Sequence, residues 1–477
     1  MGLTLPVHRR GRLLVRTLLG VMALTVITQV ASELALRPRY ESDTDLVVRA
    51  AARALRCVDA GAWSRCPNLS RFPVLQHLPA AALLRAGATT TGVLRGLSLL
   101  SAAANVGVAA VLFRSLGGAA QGVAWLALAA WVGSFGLWYT TSTFGEPLAA
   151  LVTLLAVWRC HRRDPWGALA AMWLAALSKE VAAPFLLTLG GAALLLPDAR
   201  GPDARATRRT LAACALGVTA GAGTNALVNV WRFGEPVNSF YLNPAFRGDA
   251  AQTAVHLLGQ WVSPNGGVIL FAPVLMAAVL VAAAARPHGP ARGPRYVARG
   301  SLAVLLLVSL GFARWFSPMG WWAWGPRLLL PWLPSALLLA LHAQRDAWTR
   351  LAARLGPVGY GALALALAVL ATANAPALLD TSQFDRFFVH NPACPGAHVH
   401  EDPAGHARYM RCLLFSPRSL WWPRLWPVAA EAPMFVLAYA GVLWAMLLRA
   451  AKGPPEAAAA TADEGATPHR IAVREGS

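Results

Sequence analysis

The chain has 477 residues, of which 56% are hydrophobic and only 13% charged, and it carries a formal charge of +20 at pH 7. A soluble chain of this length carries more charge and divides into two or three domains, so composition argues against a soluble globular protein and against nucleic acid as the reason for the charge. Repeated apolar runs of about 20 residues instead predict a polytopic α-helical membrane protein, in which Arg and Lys gather in short cytoplasmic loops. Forty of the 42 basic residues are Arg and only Lys179 and Lys452 are Lys. A single Arg therefore carries little weight by its identity, whereas Lys179 stands out.

In chain order, a basic start (Arg9, Arg10, Arg12, Arg16) leads into an apolar run at 15–31 with no small-residue site closing it. It reads as a retained first helix, with residues 1–12 cytoplasmic. An outer loop of about 32–90 follows. It opens on Arg39-Tyr40-Glu41-Ser42-Asp43-Thr44-Asp45 and includes His77 in a Pro-flanked apolar segment. Further spans are expected at about 91–113, 118–138 and up to 158, with the short outer turn Phe144-Gly145-Glu146-Pro147 before the fourth. The block at 166–197 would be roughly 45 Å long as one helix, against a hydrocarbon core of roughly 30 Å. It is broken at Ser178-Lys179-Glu180 and has basic clusters on both sides. Two short helices turning at Lys179-Glu180 keep both clusters inside, and that reading is adopted.

The later spans are expected at about 211–231, up to 285, up to 312, up to 342, up to 375 and up to 449, about twelve in all. Residues 13–449 then form one transmembrane domain, with a second long outer loop at 376–432 and a disordered cytoplasmic tail at 450–477. Nine Arg between Arg37 and Arg95 lie in or beside the first loop, where topology does not explain them; an anionic partner at the outer surface would. Cys57 with Cys66, and Cys394 with Cys412, suggest two local disulfides in an oxidising compartment, while Cys160 and Cys214 are free thiols. The Trp-rich stretches around 315–324 and 421–426 read as interfacial belts. His390, His398, His400 and His406 match no familiar metal spacing, and no nucleotide-binding or nucleophile-elbow motif is convincing.

Glu41-Ser42-Asp43-Thr44-Asp45 after the first helix, Phe144-Gly145-Glu146-Pro147, Leu177-Ser178-Lys179-Glu180, Arg232-Phe233-Gly234, Ser263-Pro264-Asn265-Gly266-Gly267 and Trp324-Gly325-Pro326-Arg327 occur in this order, all on the expected outer face. Over about residues 13–341 this layout resembles the GT-C superfamily of membrane glycosyltransferases. The resemblance implies an all-α bundle in the inner (cytoplasmic) membrane, with catalytic acids in the first outer loop. The implied donor is a polyprenyl-phosphate sugar, and the acceptor a lipid, glycan or protein hydroxyl. Such a transfer needs a base for the acceptor proton and cations for the leaving phosphate. Asp43 is the expected base, with Asp45 second or a ligand for a divalent cation. Their bland alternative is the solvated start of a helix at 45–55. Lys179, Arg232, Arg314 and Arg327 are candidate phosphate ligands, against interfacial snorkelling. Glu146 is a candidate sugar or acceptor contact, against a favourable anion at a helix start. Glu180 and His77 complete the substrate-binding set. A flippase for a lipid-linked glycan, or a glycan polymerase or ligase using the final loop, are the alternative functions.

Overall fold

The computed structural model describes residues 42–62, 72–117, 121–140, 143, 145–179, 182–196, 204–238, 248–284, 293–315, 325–345, 394 and 403–416. All regular structure among these residues is helical, as the composition predicts. The expected first, eleventh and twelfth spans, the C-terminal tail, Glu41 and Glu180 lie outside the described residues.

The chain first builds a small outlying unit. Helix α1 (Ser42–Asp59) turns Val47, Val48 and Ala51 inward and Arg49, Arg53 and Arg56 outward. Its apolar stripe packs on Ala80 of α2 (Val74–Arg85) and on Val93, Leu94 and Leu97 of α3 (Thr90–Gly117), giving a core separate from the main one. Arg85 forks onto both oxygens of Asp59 at 2.6 and 2.8 Å. That pair is exposed, so it contributes no more than about 1 kcal/mol.

The main bundle continues with α4 (Gln121–Val132), which stops at Gly133 and Ser134. There Ser134 Oγ donates to the Trp131 carbonyl and accepts from the Gly136 N–H, turning the chain into a short 3₁₀ segment, Phe135–Thr140. Next come α5 (Glu146–His161), α6 (Pro165–Ser178), α7 (Ala183–Leu194) and α8 (Ala204–Phe233). Asp164 caps α6 by accepting from the Gly167 N–H and pairs with Arg159 at 2.7 Å, which tightens the reversal after α5. The apolar block at 166–197 is two helices, as its length requires. Helix α6 ends at Ser178, Lys179 is extended (φ −151°, ψ 121°), and α7 has a Pro in its first turn.

Helix α8 has an inverted stripe. Thr210, Ala213, Cys214, Gly217, Gly221, Asn225, Asn229 and Arg232 are buried, while Leu211, Leu216, Leu227 and Val230 are exposed. Small and polar residues facing protein, with leucines outside, suit a helix surrounded by lipid. The small residues also let α6 approach to backbone contact. A Cβ on Gly217 would lie 2.4 Å from the Leu169 carbonyl oxygen, and one on Gly221 2.9 Å from that of Trp173. Asn225 Nδ2 then donates to the Ala176 carbonyl at 2.8 Å.

The second half adds α9 (Ala250–Val262), α10 (Val268–Phe271), α11 (Pro273–Ala284), α12 (Gly293–Ala313), a 3₁₀ turn (Arg327–Leu329), α13 (Leu333–Ala343) and α14 (Pro403–Phe415). Helix α9 lies within the loop that the sequence leaves unstructured. Ser263 Oγ donates to the Leu414 carbonyl and Asn265 Nδ2 to that of Leu413 at 2.7 Å, so this loop caps the C-terminus of α14. Cys394 and Cys412 are joined as expected, closing an 18-residue separation, which stabilises by ~3 kcal/mol on chain-entropy grounds. Cys57 is also disulfide-bonded, and Cys66 lies outside the described residues. Cys160 and Cys214 are buried free thiols in contact.

Three helices among the described residues, α3, α8 and α12, are long and apolar enough to cross a membrane. Helices α6, α7, α11 and α13 are apolar but only 11 to 14 residues long, about 17 to 21 Å at 1.5 Å per residue. That is shorter than a ~30 Å core, so the described residues do not reach the expected twelve full spans. Part of the reason is visible in two breaks that the sequence reading does not place: helices stop at Gly133 and at Ala272 within stretches read as continuous spans.

The α6–α8 packing makes a direct demand. Gly221→Leu should destabilise the protein by at least about 1 to 3 kcal/mol, because the Trp173 backbone cannot yield as a side chain would. Gly223→Leu, with open space around it, should be tolerated. Thermal unfolding of the two variants in detergent checks this, and equal melting temperatures would contradict the packing.

Candidate functional site

The upper rim of the bundle is the end at which α5 begins and α6 and α8 finish. Three chain segments meet there on one carboxylate. Glu146 is the first residue of α5, placed by Gly145 before it and Pro147 after it. Lys179 Nζ, in the extended break after α6, donates to Glu146 Oε1 at 3.1 Å. Arg327 Nε lies 3.6 Å from the same oxygen. The side chains of Lys179, Arg327 and Glu146 are only 14%, 6% and 4% exposed, so this is a buried ion cluster and not a surface pair.

Local geometry explains how Arg327 arrives. Gly325 has φ +66°, and a Cβ there would meet the Phe135 and Phe271 rings at 3.0 and 3.1 Å. Only glycine takes that conformation at so little cost. The turn drives Pro326 and Arg327 into the bundle, ahead of the short 3₁₀ segment and α13. The Gly325-Pro326-Arg327 turn is therefore a device for burying a guanidinium.

A second layer lies over the first. Arg232, near the end of α8, donates to the Phe72 carbonyl at 2.6 Å and to Asn229 Oδ1, one helical turn back. It thereby clamps the start of α2 to the bundle. Gln76 of α2 packs on Gly145, where a Cβ would lie 2.4 Å from its Cγ. His77, the next residue, hydrogen-bonds through Nδ1 to the Pro73 carbonyl at 3.0 Å. A carbonyl only accepts, so Nδ1 carries the proton. Burial lowers the pKa of His77 from 6.5 to about 4; the Pro73 hydrogen bond opposes this and the nearby Arg232 charge adds to it. At neutral pH the ring is uncharged and Nε2 presents a bare lone pair. Two acceptor atoms are left over: His77 Nε2 and Glu146 Oε2 are both buried without a hydrogen-bond partner among the described residues.

The expected site residues thus fall into groups. Glu146, Lys179 and Arg327 are brought together directly; Arg232 and His77 sit beside each other in the layer above. Arg314 is exposed at the end of α12. Helix α1 already begins at Ser42, three residues before the expected start, so Asp43 and Asp45 are on a helix and not in an extended turn. Two residues apart on a helix do not share a face. Asp45 pairs with Arg49, 2.5 Å away and exposed; the Asp43 side chain lies outside the described residues. Among the described residues no group of three His, Cys, Asp or Glu side chains is placed to hold a metal ion. Gln76 and Asn229 were not singled out from sequence. Only the position of Asn229 one turn before Arg232 hinted at its role.

Comparison with family models, with curated proteins and with solved structures finds no match.

Two outcomes follow from the geometry. Glu146→Ala leaves two buried cations without their shared anion and should cost about 3 to 5 kcal/mol. Adding Lys179→Met should restore part of that loss; a double variant no more stable than the single one would argue against the ion cluster. For His77, the unfolded ring binds a proton below about pH 6.5 and the folded one only below about pH 4. Stability is therefore full above the unfolded value and declines as pH falls between the two. His77→Gln should flatten that decline in melting temperature between about pH 7 and pH 5, with Arg232 as the charge facing it.

Proposed function

We propose that this protein is a membrane glycosyltransferase that moves a sugar from a polyprenyl-phosphate donor to a hydroxyl of a lipid, glycan or protein. The supporting observation is the pair of buried cations, Lys179 and Arg327, gathered on Glu146 at one rim. Glu146 neutralises one of the two charges, so the cluster keeps a net positive charge. A phosphodiester arriving at the rim would meet a compact ammonium and a forked guanidinium already desolvated and oriented. Preorganised cations of this kind stabilise charge as it develops on a leaving oxygen.

In the proposed reaction the acceptor oxygen attacks the anomeric carbon, and the bond from that carbon to the phosphate oxygen breaks. Its electron pair stays on the phosphate, held by Lys179 and Arg327, and inversion follows from the single displacement. The acceptor proton passes to a carboxylate, for which Asp43 is the candidate. Asp45, tied to Arg49, is the weaker candidate. Arg232 serves mainly as the clamp on α2, and Glu146 as the group that orients both cations. In this reading the upper rim faces the outer side of a bacterial inner membrane, and the bundle has about twelve spans once the remaining segments are added. No step in the scheme is assigned to a divalent cation.

The test is transfer by the purified protein from labelled polyprenyl-phosphate sugars. Lys179→Met and Arg327→Gln should each lower turnover by roughly 100-fold or more, the scale of losing one oriented donor. Asp43→Asn should abolish turnover with the melting temperature unchanged. Wild-type rates in all three variants would sink the proposal.

A further inference from the structure

The end of the bundle opposite the rim gathers arginines that the cluster on Glu146 does not use. Arg159, Arg162 and Arg163 lie at the turn from α5 to α6, and Arg205, Arg208 and Arg209 lie in the first turns of α8. Arg163 has φ 51°, a conformation uncommon without glycine, and its Nε donates to Thr207 Oγ1 at 2.9 Å. That bond sets two stretches far apart in sequence at one level. Asp164 is taken up by Arg159 and by the cap of α6. Arg162, Arg208 and Arg209 are exposed and form no ion pair with another described residue.

Their depth is fixed by α8 itself. From Leu211 to Val230 the exposed residues of this helix include no charge. That stretch rises roughly 30 Å at 1.5 Å per residue, the thickness of a hydrocarbon core. At 3.6 residues per turn, Arg205 and Arg209 fall on the same face as Leu216, Leu227 and Val230, all exposed. The face that meets lipid chains therefore ends in guanidinium groups at the depth of the phosphates. Helices α6 and α8 run parallel, with Leu169 against Gly217 and Trp173 against Gly221. Trp166, in the first turn of α6, thus stands just above these arginines. It is 79% exposed, as an indole at the boundary of headgroups and chains would be.

We infer that this end of the bundle is an interaction surface for anionic phospholipid, with Arg162, Arg208 and Arg209 on the headgroup phosphates and the apolar face of α8 along the acyl chains. The surface is a collar and not a pocket, so each arginine can meet its own phosphate. The bias that places arginine on one side of a membrane asks only for basic residues in the loops. It does not ask for their alignment with a lipid-facing stripe or for an exposed Trp above them. A soluble polyanion would match the charge and leave the apolar face unused.

Lipid retention tests this apart from any transferase activity. The purified full-length protein in detergent is incubated with equimolar phosphatidylglycerol and phosphatidylcholine of the same acyl chains, repurified, and its bound lipid counted by mass spectrometry. Phosphatidylglycerol should be retained over phosphatidylcholine by more than tenfold at low salt, and the preference should shrink as salt is raised. The triple variant Arg162→Gln/Arg208→Gln/Arg209→Gln should bring the two lipids near parity. Its melting temperature should be unchanged, because the three side chains are exposed. The triple Lys variant at the same positions keeps the charge and should keep the preference. Should the triple Gln variant not fold, Arg162→Gln and Arg208→Gln alone should each lower the preference about fivefold, on the scale of one surface charge. Parity in the wild type, or an undiminished preference in the Gln variants, overturns the inference.

Discussion

The carboxylate of Glu146 is the point around which the upper rim is built. Burying an ammonium and a guanidinium costs several kcal/mol each, and that cost is offset only by close, well-oriented opposite charge. Glu146 supplies it to Lys179 at 3.1 Å and to Arg327 at 3.6 Å. The three residues come from chain positions far apart. Their meeting therefore fixes how the start of α5, the end of α6 and the turn before α13 sit relative to one another.

Each partner reaches Glu146 through a local irregularity. Lys179 is free to turn inward because α6 has ended and the backbone is extended. Arg327 follows a glycine in the left-handed region, wedged between two phenylalanine rings. A straight helix through either segment would carry these charges along a lipid-facing or core-facing stripe instead. The helix breaks that shorten the apolar elements are thus the same features that deliver cations to the rim. The small-residue face of α8 supports this by bringing α6 to backbone contact, so that the end of α6 has little freedom of position.

Above the cluster, α2 belongs largely to its own small core with α1 and α3. Its ties to the bundle include Val74 and Leu75 at the main core, the Arg232 hydrogen bond to Phe72 and the packing of Gln76 on Gly145. Its first turn thus packs on the bundle while the rest of the helix belongs to the smaller core. The acidic stretch at the head of α1 has a different character. It begins a solvated amphipathic helix, and one of its two candidate acids is engaged with an arginine one turn along.

Composition, hydropathy and the placement of residues along the chain were enough to determine the all-helical class, the presence of helices long and apolar enough to cross a membrane, the double nature of the 166–197 block, the Cys394–Cys412 pairing and the candidacy of Glu146, Lys179 and Arg327. These depend on local quantities: apolar length, charge placement and residue type along the chain. Tertiary structure decided which candidates meet. It joined Lys179 and Arg327 on one oxygen, turned Arg232 into a clamp on α2, and put Asp43 and Asp45 on a helix. It also showed that His77 and Glu146 each keep an unmatched acceptor. No periodicity carries that information, because the pairing of buried charges and the satisfaction of buried polar atoms are settled between segments that neither precede nor follow one another.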